Sequence, residues 1–464
     1  MSGPNWSNRT LWTGDNLDIM RGMNSETVDL IYLDPPFNSN RDYAAPIGSE
    51  AAGAAFKDTW TLSDVDEAWH GEIADRDPAL YAIVDAAGMA HGKGMKSYLI
   101  MMAVRLMEMQ RLLKDTGSIY LHCDPTASHY LKTLMDAIFG AGNFRNDITW
   151  KRKAGRGETQ NAAIRFGVTS DVLLFYARSS VTVLNRQSRP NNPAYIASKF
   201  THVDDHGRRY QLDNLTSPSP RPNLAYEYKG YKPPKNGWAV SRERMEQMDR
   251  EGRIHFPSDK SKRLRRIRFL DELPGETVDT LWDDIPPINS QAQERVGYPT
   301  QKPLALLNRI IRASSNEGDI VLDPFAGCAT ALVAADRLNR EWVGIDLSPL
   351  AAKLVLKRIR EDRGPLFDDI HHRTDIPRRT DLGELPNYRT HKHTLYGKQE
   401  GQCTGCRVMF PFRNLTVDHV VPQSKGGSDH IENLQLLCAA CNSTKGARSQ
   451  EEFVAKLKAE GIRH

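Results

Sequence analysis

Four apolar runs in this chain each stop at an aspartate: VDLIYLD (28–34), SIYLHCD (118–124), DIVLD (319–323) and EWVGID (341–346). Runs of this kind read as buried strands. Helical patterns alternate with them at 96–114, 126–139, 302–315 and 351–362. Strands alternating with helices predict an α/β fold built on a parallel sheet. A short strand and helix at 11–23, with Asp15 in the turn between them, and further strands at 147–153 and 168–178 extend the pattern. The sequence Asp115-Thr116-Gly117 is expected to stop the helix of 96–114.

The first aspartate run carries most of the functional signal. Asp34 is followed at once by Pro35 and Pro36, then by Phe37. Proline fixes φ and has no N–H, so the pair ends the strand in a stiff, exposed step. An acid on a rigid turn beside an aromatic ring is a site geometry. A bare Asp-Pro turn would usually be structural. The ring and a matching turn near residue 323 favour a site.

At 464 residues the chain should hold more than one domain. The formal net charge of +4 says little about partners. The placement of charge says more, with basic runs at 151–153 and 260–268. No stretch is long and apolar enough to span a membrane. The amino terminus lacks a signal-peptide pattern, so a cytoplasmic location is the expectation. Six cysteines are present, four of them in two CxxC pairs near the end. In a cytoplasmic chain that spacing argues for metal over disulfides. Cys123 and Cys328 read as buried small hydrophobes.

Residues 1–179 and 296–362 share the α/β pattern, and within the first part 41–93 reads as a lid or loop with helical pieces. Residues 180–295 differ: prolines cluster, and Lys and Arg interleave with Tyr210, Tyr226, Tyr228, Tyr231 and Trp238. That mixture suits an inserted nucleic-acid surface. Residues 363–400 read as a linker whose His371, His372, His391 and His393 are solvated, and 401–464 as a small Cys-rich module.

In DPFAGCAT (323–330) a strand ends in Asp323 and a turn of small residues opens a helix. Backbone approaches a ligand closely only where side chains are small, here Ala326, Gly327 and Ala329. Asp346, at the end of the next strand, can accept from both hydroxyls of a ribose, as in nucleotide-binding α/β folds. Taken alone, the turn also fits a tight β–α connection packed for structure.

Together, DPPF (34–37), TQKP (300–303) and DPFAGCAT (323–330) resemble the S-adenosylmethionine-dependent amino DNA methyltransferases. The order, catalytic motif first and cofactor motif late, resembles the β-class. The resemblance covers roughly residues 8–362 and implies a Rossmann-like sheet in permuted motif order, with 180–295 as the target-recognition insertion. Two departures stand out. Cys328 and Ala329 occupy positions where Ser and Gly are common, and Phe37 stands where Tyr is more frequent. Size and ring character are kept, so activity is expected.

The resemblance implies roles. The exocyclic amine of a base is a poor nucleophile because its lone pair is delocalised. Asp34 and the carbonyl of Pro35, on the step completed by Pro36, would accept its hydrogens and localise that pair. Phe37 would stack on a base flipped out of the duplex. Asp323, Phe325, Ala326, Gly327 and Lys302 would line the cofactor, Asp346 would hold its ribose, and Asp15 would sit near the adenine. N6 of adenine is the favoured target because the motif starts with Asp34. N4 of cytosine and an RNA target are the rivals.

Cys403-x2-Cys406 and Cys438-x2-Cys441, with 31 residues between, form a four-thiolate zinc pattern. The segment from Leu415 to Arg448 resembles a zinc-bearing HNH nuclease, a ββα-metal fold. That likeness implies His419 as general base, Asp418 and Asn442 as ligands of a divalent ion (Mg or Mn), Asn433 fixing the loop and Lys445 reaching phosphate. The alternative is a zinc module that only binds DNA. The expected partner is double-stranded DNA; many β-class relatives are dimers, and the sequence leaves open whether this chain is a monomer or a homodimer.

Overall fold

A computed structural model of the chain describes residues 3–36, 42–44, 55–57, 64–153, 166–289, 291–298, 300–364, 367, 369–381 and 387–462. The chain forms two compact units, residues 1–185 with 279–464, and residues 186–278.

The larger unit is built on one nine-stranded sheet. In chain order its strands are β1 (Thr10–Thr13), β2 (Val28–Leu33), β3 (Leu113–Cys123), β4 (Phe144–Lys151), β5 (Ser170–Ala177), β6 (Leu281–Trp282), β7 (Ile320–Asp323), β8 (Glu341–Asp346) and β9 (His371–Arg373). Across the sheet they run β6-β4-β5-β3-β2-β7-β8-β1-β9. Every residue of β2 is buried, which is why that run shows no polar alternation. Its one acid, Asp29, is satisfied by the Lys114 ammonium at 2.7 Å and the Ile320 N–H at 2.9 Å.

The sheet corrects the all-parallel expectation. β5 pairs antiparallel with both β3 and β4, while the other neighbours are parallel. β4 and β5 follow each other with no described helix between them, and a parallel return needs a crossover, usually a helix. A second correction concerns the Asp115-Thr116-Gly117 stop. The helix ends at Leu112, and β3 already pairs Leu113 with Val28 before a register shift brings Ser118 opposite Leu30. Lys114 to Gly117 form the bulge.

The helices around the sheet are α1 (Asn16–Gly22), α2 (Asp64–Arg76), α3 (Pro78–His91), α4 (Lys93–Leu112), α5 (Ser128–Phe139), α6 (Leu304–Ser314), α7 (Thr330–Arg337) and α8 (Pro349–Arg363). The stretch read as a lid or loop thus holds two full helices. Asp77 caps α3 through the N–H groups of Ala79 and Leu80, with Pro78 in the first turn. α4 is buried almost all round, so its apolar residues show no single stripe.

The stretch expected as a linker is not one throughout. His371 to Arg373 add the edge strand β9, and a further helix, α9 (Lys392–Lys398), packs on α2. A Cβ on Gly397 would meet Trp69 Nε1 at 2.7 Å, and one on Gly71 would meet His393 at 2.9 Å. The two helices approach through these glycines. His371 and His372 are exposed as expected, whereas His391 and His393 are half-buried, the latter stacked on Phe412 at 3.9 Å.

The terminal module pairs β10 (Leu415–His419) with β11 (Leu434–Cys438) and adds α10 (Ala439–Lys445) and α11 (Gln450–Ala459). Its core holds Leu395, Leu415, Leu436, Leu437, Phe453 and Leu457.

The unit 186–278 carries a four-stranded sheet of Ile254–His255, Arg265–Phe269, Arg209–Asn214 and His202–Val203. Here the aromatic expectation is corrected for three of its five residues, while Tyr210 and Tyr226 are half-buried. Trp238, Tyr228 and Tyr231 are buried with Met245 and Met248 as the core of this unit. For these three the ring-rich pattern reports packing. Lys260, Lys262, Arg263, Arg265 and Arg266 are exposed.

Candidate active sites

The carboxyl ends of β2, β7 and β8 open on one cavity of about 570 Å³. Asp34, Pro35, Pro36, Asp323, Phe325, Ala326, Gly327, Asp346, Lys302 and Asp15 all line it. Parallel neighbours put their strand-end acids on the same edge, which is where α/β sheets bind ligands.

Asp34 is divided between two environments. Its Oδ2 is ion-paired with the Lys302 ammonium, which also donates to the Thr300 carbonyl at 3.3 Å. Its Oδ1 is buried and has no hydrogen-bond partner among the described residues. A buried, unpartnered carboxylate oxygen costs free energy unless a donor arrives. The site therefore fits a ligand bearing N–H groups. Phe37 lies outside the described residues.

The turn after β7 is held from below. Asp346 accepts from the Gly327 N–H and the Ser348 N–H, each at 2.8 Å. Asp323 accepts from the Phe325 N–H at 3.0 Å. Gly327 and Ala329 both adopt positive φ, at 50° and 68°. Ala329 therefore takes the left-handed conformation that glycine adopts more readily. The Asp323 carboxyl is pushed up to about 8 by burial, with the charges of Asp34 and Asp346 adding to it. Burial also raises Asp346, against the two N–H bonds it accepts. Such a cluster favours a cationic ligand. Asp15 caps α1 through the Leu17 N–H at 2.8 Å and pairs with Arg105 at 2.9 Å.

In the terminal module the Sγ atoms of Cys403, Cys406, Cys438 and Cys441 lie within 4.8 Å of one another. That donor set fits a tetrahedral soft-ligand metal site. His419, at the end of β10, is held by Asp429 at 2.7 Å through Nε2. Asn433 ties its loop through Val421 N–H and the carbonyls of Val421 and Ser428. Asp418 Oδ2 meets Lys445 at 2.9 Å and Gln435 at 3.3 Å. Asn442 is half-buried on α10. Lys445 is fully buried and also donates to the His419 carbonyl, so it does not reach out to phosphate.

The DNA methylase family model matches residues 28–357, spanning both cavity-forming halves. The chain belongs to the DNA methylase family. Residues 403–458 match the HNH endonuclease family. The type II methyltransferase M.EcaI of Enterobacter cloacae is 29% identical over 378 residues, covering 81% of this chain and 74% of the relative. The StyLTI Mod subunit of a type III restriction-modification enzyme from Salmonella typhimurium is 28% identical over 354 residues, covering 72% of this chain and 51% of that protein. The DNA adenine methyltransferase YhdJ of Escherichia coli is 47% identical over 88 residues, 19% of this chain and 28% of the relative.

Sequence reading of this methylase placed Lys302 with the cofactor, and the structure pairs it with Asp34. Reading along the chain also missed Tyr32, Arg105 and Tyr298, all of which line the cavity. Tyr32 lies inside an apolar run, Arg105 inside the long helix α4, and Tyr298 two residues before TQKP. No local pattern marks them. Among the described residues no helix is long and apolar enough to cross a membrane.

Proposed function

We propose that this methylase transfers a methyl group from S-adenosylmethionine to the exocyclic amine of a base flipped out of duplex DNA, N6 of adenine being preferred. The observation that carries the reading is the buried, unpartnered Oδ1 of Asp34 at the end of β2. Asp34 accepts one amine hydrogen there, and the Pro35 carbonyl on the same rigid step takes the other. The nitrogen lone pair is thereby localised. Lys302 keeps the opposite carboxylate oxygen occupied and the group oriented. Asp323, Phe325, Ala326 and Gly327 would hold the cofactor, with Asp346 on its ribose and Asp15 toward its adenine. When bound, S-adenosylmethionine supplies the electrophilic methyl group. The acidic cluster suits its sulfonium. Adenine is supported by Asp34 opening the motif and by the name of the YhdJ relative.

In the terminal module the four cysteines would hold a structural zinc ion. His419, its Nε2 tied to Asp429, would take a proton from water, with Asp418 and Asn442 beside a divalent ion. Lys445 and Gln435 both contact Oδ2 of Asp418, which leaves Oδ1 for the ion. The names of the relatives support a restriction-modification setting. The exposed cations at 260–266 would contact the DNA backbone.

The test uses purified full-length chain, labelled S-adenosylmethionine and unmethylated DNA, with mass analysis of nucleosides. N6-methyladenine is expected, and Asp34→Ala should abolish it. N4-methylcytosine overturns the base assignment alone. Methyl transfer to RNA and not DNA overturns the substrate.

A further inference from the structure

Arg105, on α4, lines the cavity at the ends of β2, β7 and β8 and is 7% exposed. Its Nε donates to Asn16 Oδ1 at 2.6 Å, and its Nη2 meets the two carboxylate oxygens of Asp15 at 2.9 and 3.2 Å. Asn16 Nδ2 in turn donates to the Pro324 carbonyl at 2.8 Å, at the start of the turn after β7. A guanidinium can only donate and a carbonyl can only accept, so the Asn16 amide has a single orientation. One buried cation therefore fixes both Asp15 and the turn at Pro324.

Arg105 is itself seated from outside the cavity. Its guanidinium lies over the ring of Trp69 on α2, 5.4 Å from the centroid. The same residue meets α9, where a Cβ on Gly397 would come within 2.7 Å of Trp69 Nε1. α9 is built into the terminal module. Leu395 is buried in that module's core. Gln399, just after the helix, accepts from the Leu436 N–H at 2.8 Å and donates to Thr404 at 2.7 Å. α9 also reaches α1, the helix that Asp15 caps, with Lys398 3.5 Å from Asp18. α2 braces α1 through Glu72 and Arg21 at 2.8 Å. All these elements belong to one compact unit.

We propose that α9 of the terminal module supports the cofactor site, with Trp69 and Arg105 as the positioning residues through which it sets Asp15 and the turn at Pro324. The inference rests on the reading that S-adenosylmethionine occupies this cavity. Two costs argue for it. A guanidinium withdrawn from water costs free energy unless it is matched, and Asp15, Asn16 and Trp69 supply the match. Glycine within a helix costs stability relative to alanine, and Gly397 is what lets α9 approach Trp69. Coupling between two sites is reciprocal. A ligand that needs Asp15 and the turn in place must also tighten α9 on α2.

Calorimetry of S-adenosylmethionine binding to the full-length chain tests this at residues outside the cavity lining. Trp69→Ala and Gly397→Val should each raise Kd roughly 2- to 30-fold, the range for residues that modulate a site without touching its ligand. Trp69→Phe keeps a ring for Arg105 and should hold most of the affinity. A merely structural role would lower the number of binding sites and leave Kd at the wild-type value, which would overturn the proposal. Asn16→Ala combined with Trp69→Ala should cost less than the sum of the two, because both act through Arg105. Additive losses overturn the route. The reciprocal readout is amide exchange. S-adenosylmethionine should slow it in α9 of the wild type and not in Trp69→Ala. Equal exchange in wild-type α9 with and without the cofactor also overturns the proposal. A wild-type chain that binds no S-adenosylmethionine would sink the cofactor reading, and this inference with it, so the two failures are told apart.

Discussion

Asp34 and Lys302 lie 268 residues apart and meet as an ion pair in the lining of the cavity. The lysine side chain is 8% exposed and the aspartate 19%, so both charges are largely withdrawn from water. The pair joins the strand-end step of β2 to the segment before α6. It leaves one carboxylate oxygen of Asp34 bonded and the other open.

Removing Lys302 leaves a buried carboxylate without its counter-charge. Breaking such a pair costs about 3 kcal/mol or more. Lys302→Ala should lower the thermal midpoint and reduce kcat by roughly 10- to 100-fold, as for loss of one preorganised electrostatic contact. Lys302→Arg should recover part of both. Unchanged kcat in Lys302→Ala would assign the pair to stability alone.

Asp323 should make cofactor affinity pH-dependent. Its folded pKa lies near 8, above the ordinary value of 3.8, so the folded state binds the extra proton between those limits. Fold stability from this group is full at low pH and falls as pH rises toward 8. A cationic ligand prefers the ionised carboxylate. S-adenosylmethionine affinity should therefore rise with pH up to about 8 and level off above it, by no more than about tenfold per unit. Calorimetry in two buffers of different ionisation enthalpy should show proton release on binding below that point. Asp323→Asn should flatten the curve.

The four-cysteine site should carry one zinc ion per chain, measured by elemental analysis. Structural zinc contributes on the order of 10 kcal/mol in small domains. Cys438→Ser should lose the metal and expose residues 401–462 to protease, because Phe453, Leu436 and Leu437 pack around the cysteines. Resistance equal to wild type would argue against a structural metal.

His419→Ala should abolish DNA nicking in magnesium or manganese and leave methylation intact. Asp429→Asn weakens the hold on Nε2 and should cut nicking about tenfold or more, by analogy with other mis-set general bases. Nicking that persists in His419→Ala would leave the module as a DNA-binding element.

Gly397→Val places a side chain against Trp69. Overpacking of this kind costs about 1–3 kcal/mol. The variant should loosen α9 from α2, seen as faster amide exchange in both helices, while zinc content is retained.

Much of this was legible in the chain itself. Apolar runs closed by Asp34, Asp323 and Asp346 declare buried strands with acids at their ends. The two proline residues after Asp34 and the small residues at 326–329 declare a rigid step and a tight turn. The cysteine spacing declares a metal site. Each is a local pattern, set by backbone sterics, strand burial or ligand chemistry within a few residues. Tertiary structure decided what depends on partners far away. It put Lys302 on Asp34, turned Tyr228, Tyr231 and Trp238 inward, buried Lys445, and ran β5 against its neighbours. It also lined up Tyr32, His122 and Asp171 across three strands. Strand order and side-chain pairing across a sheet arise from long-range packing, and sequence periodicity carries the period of an element but not the identity of its neighbour.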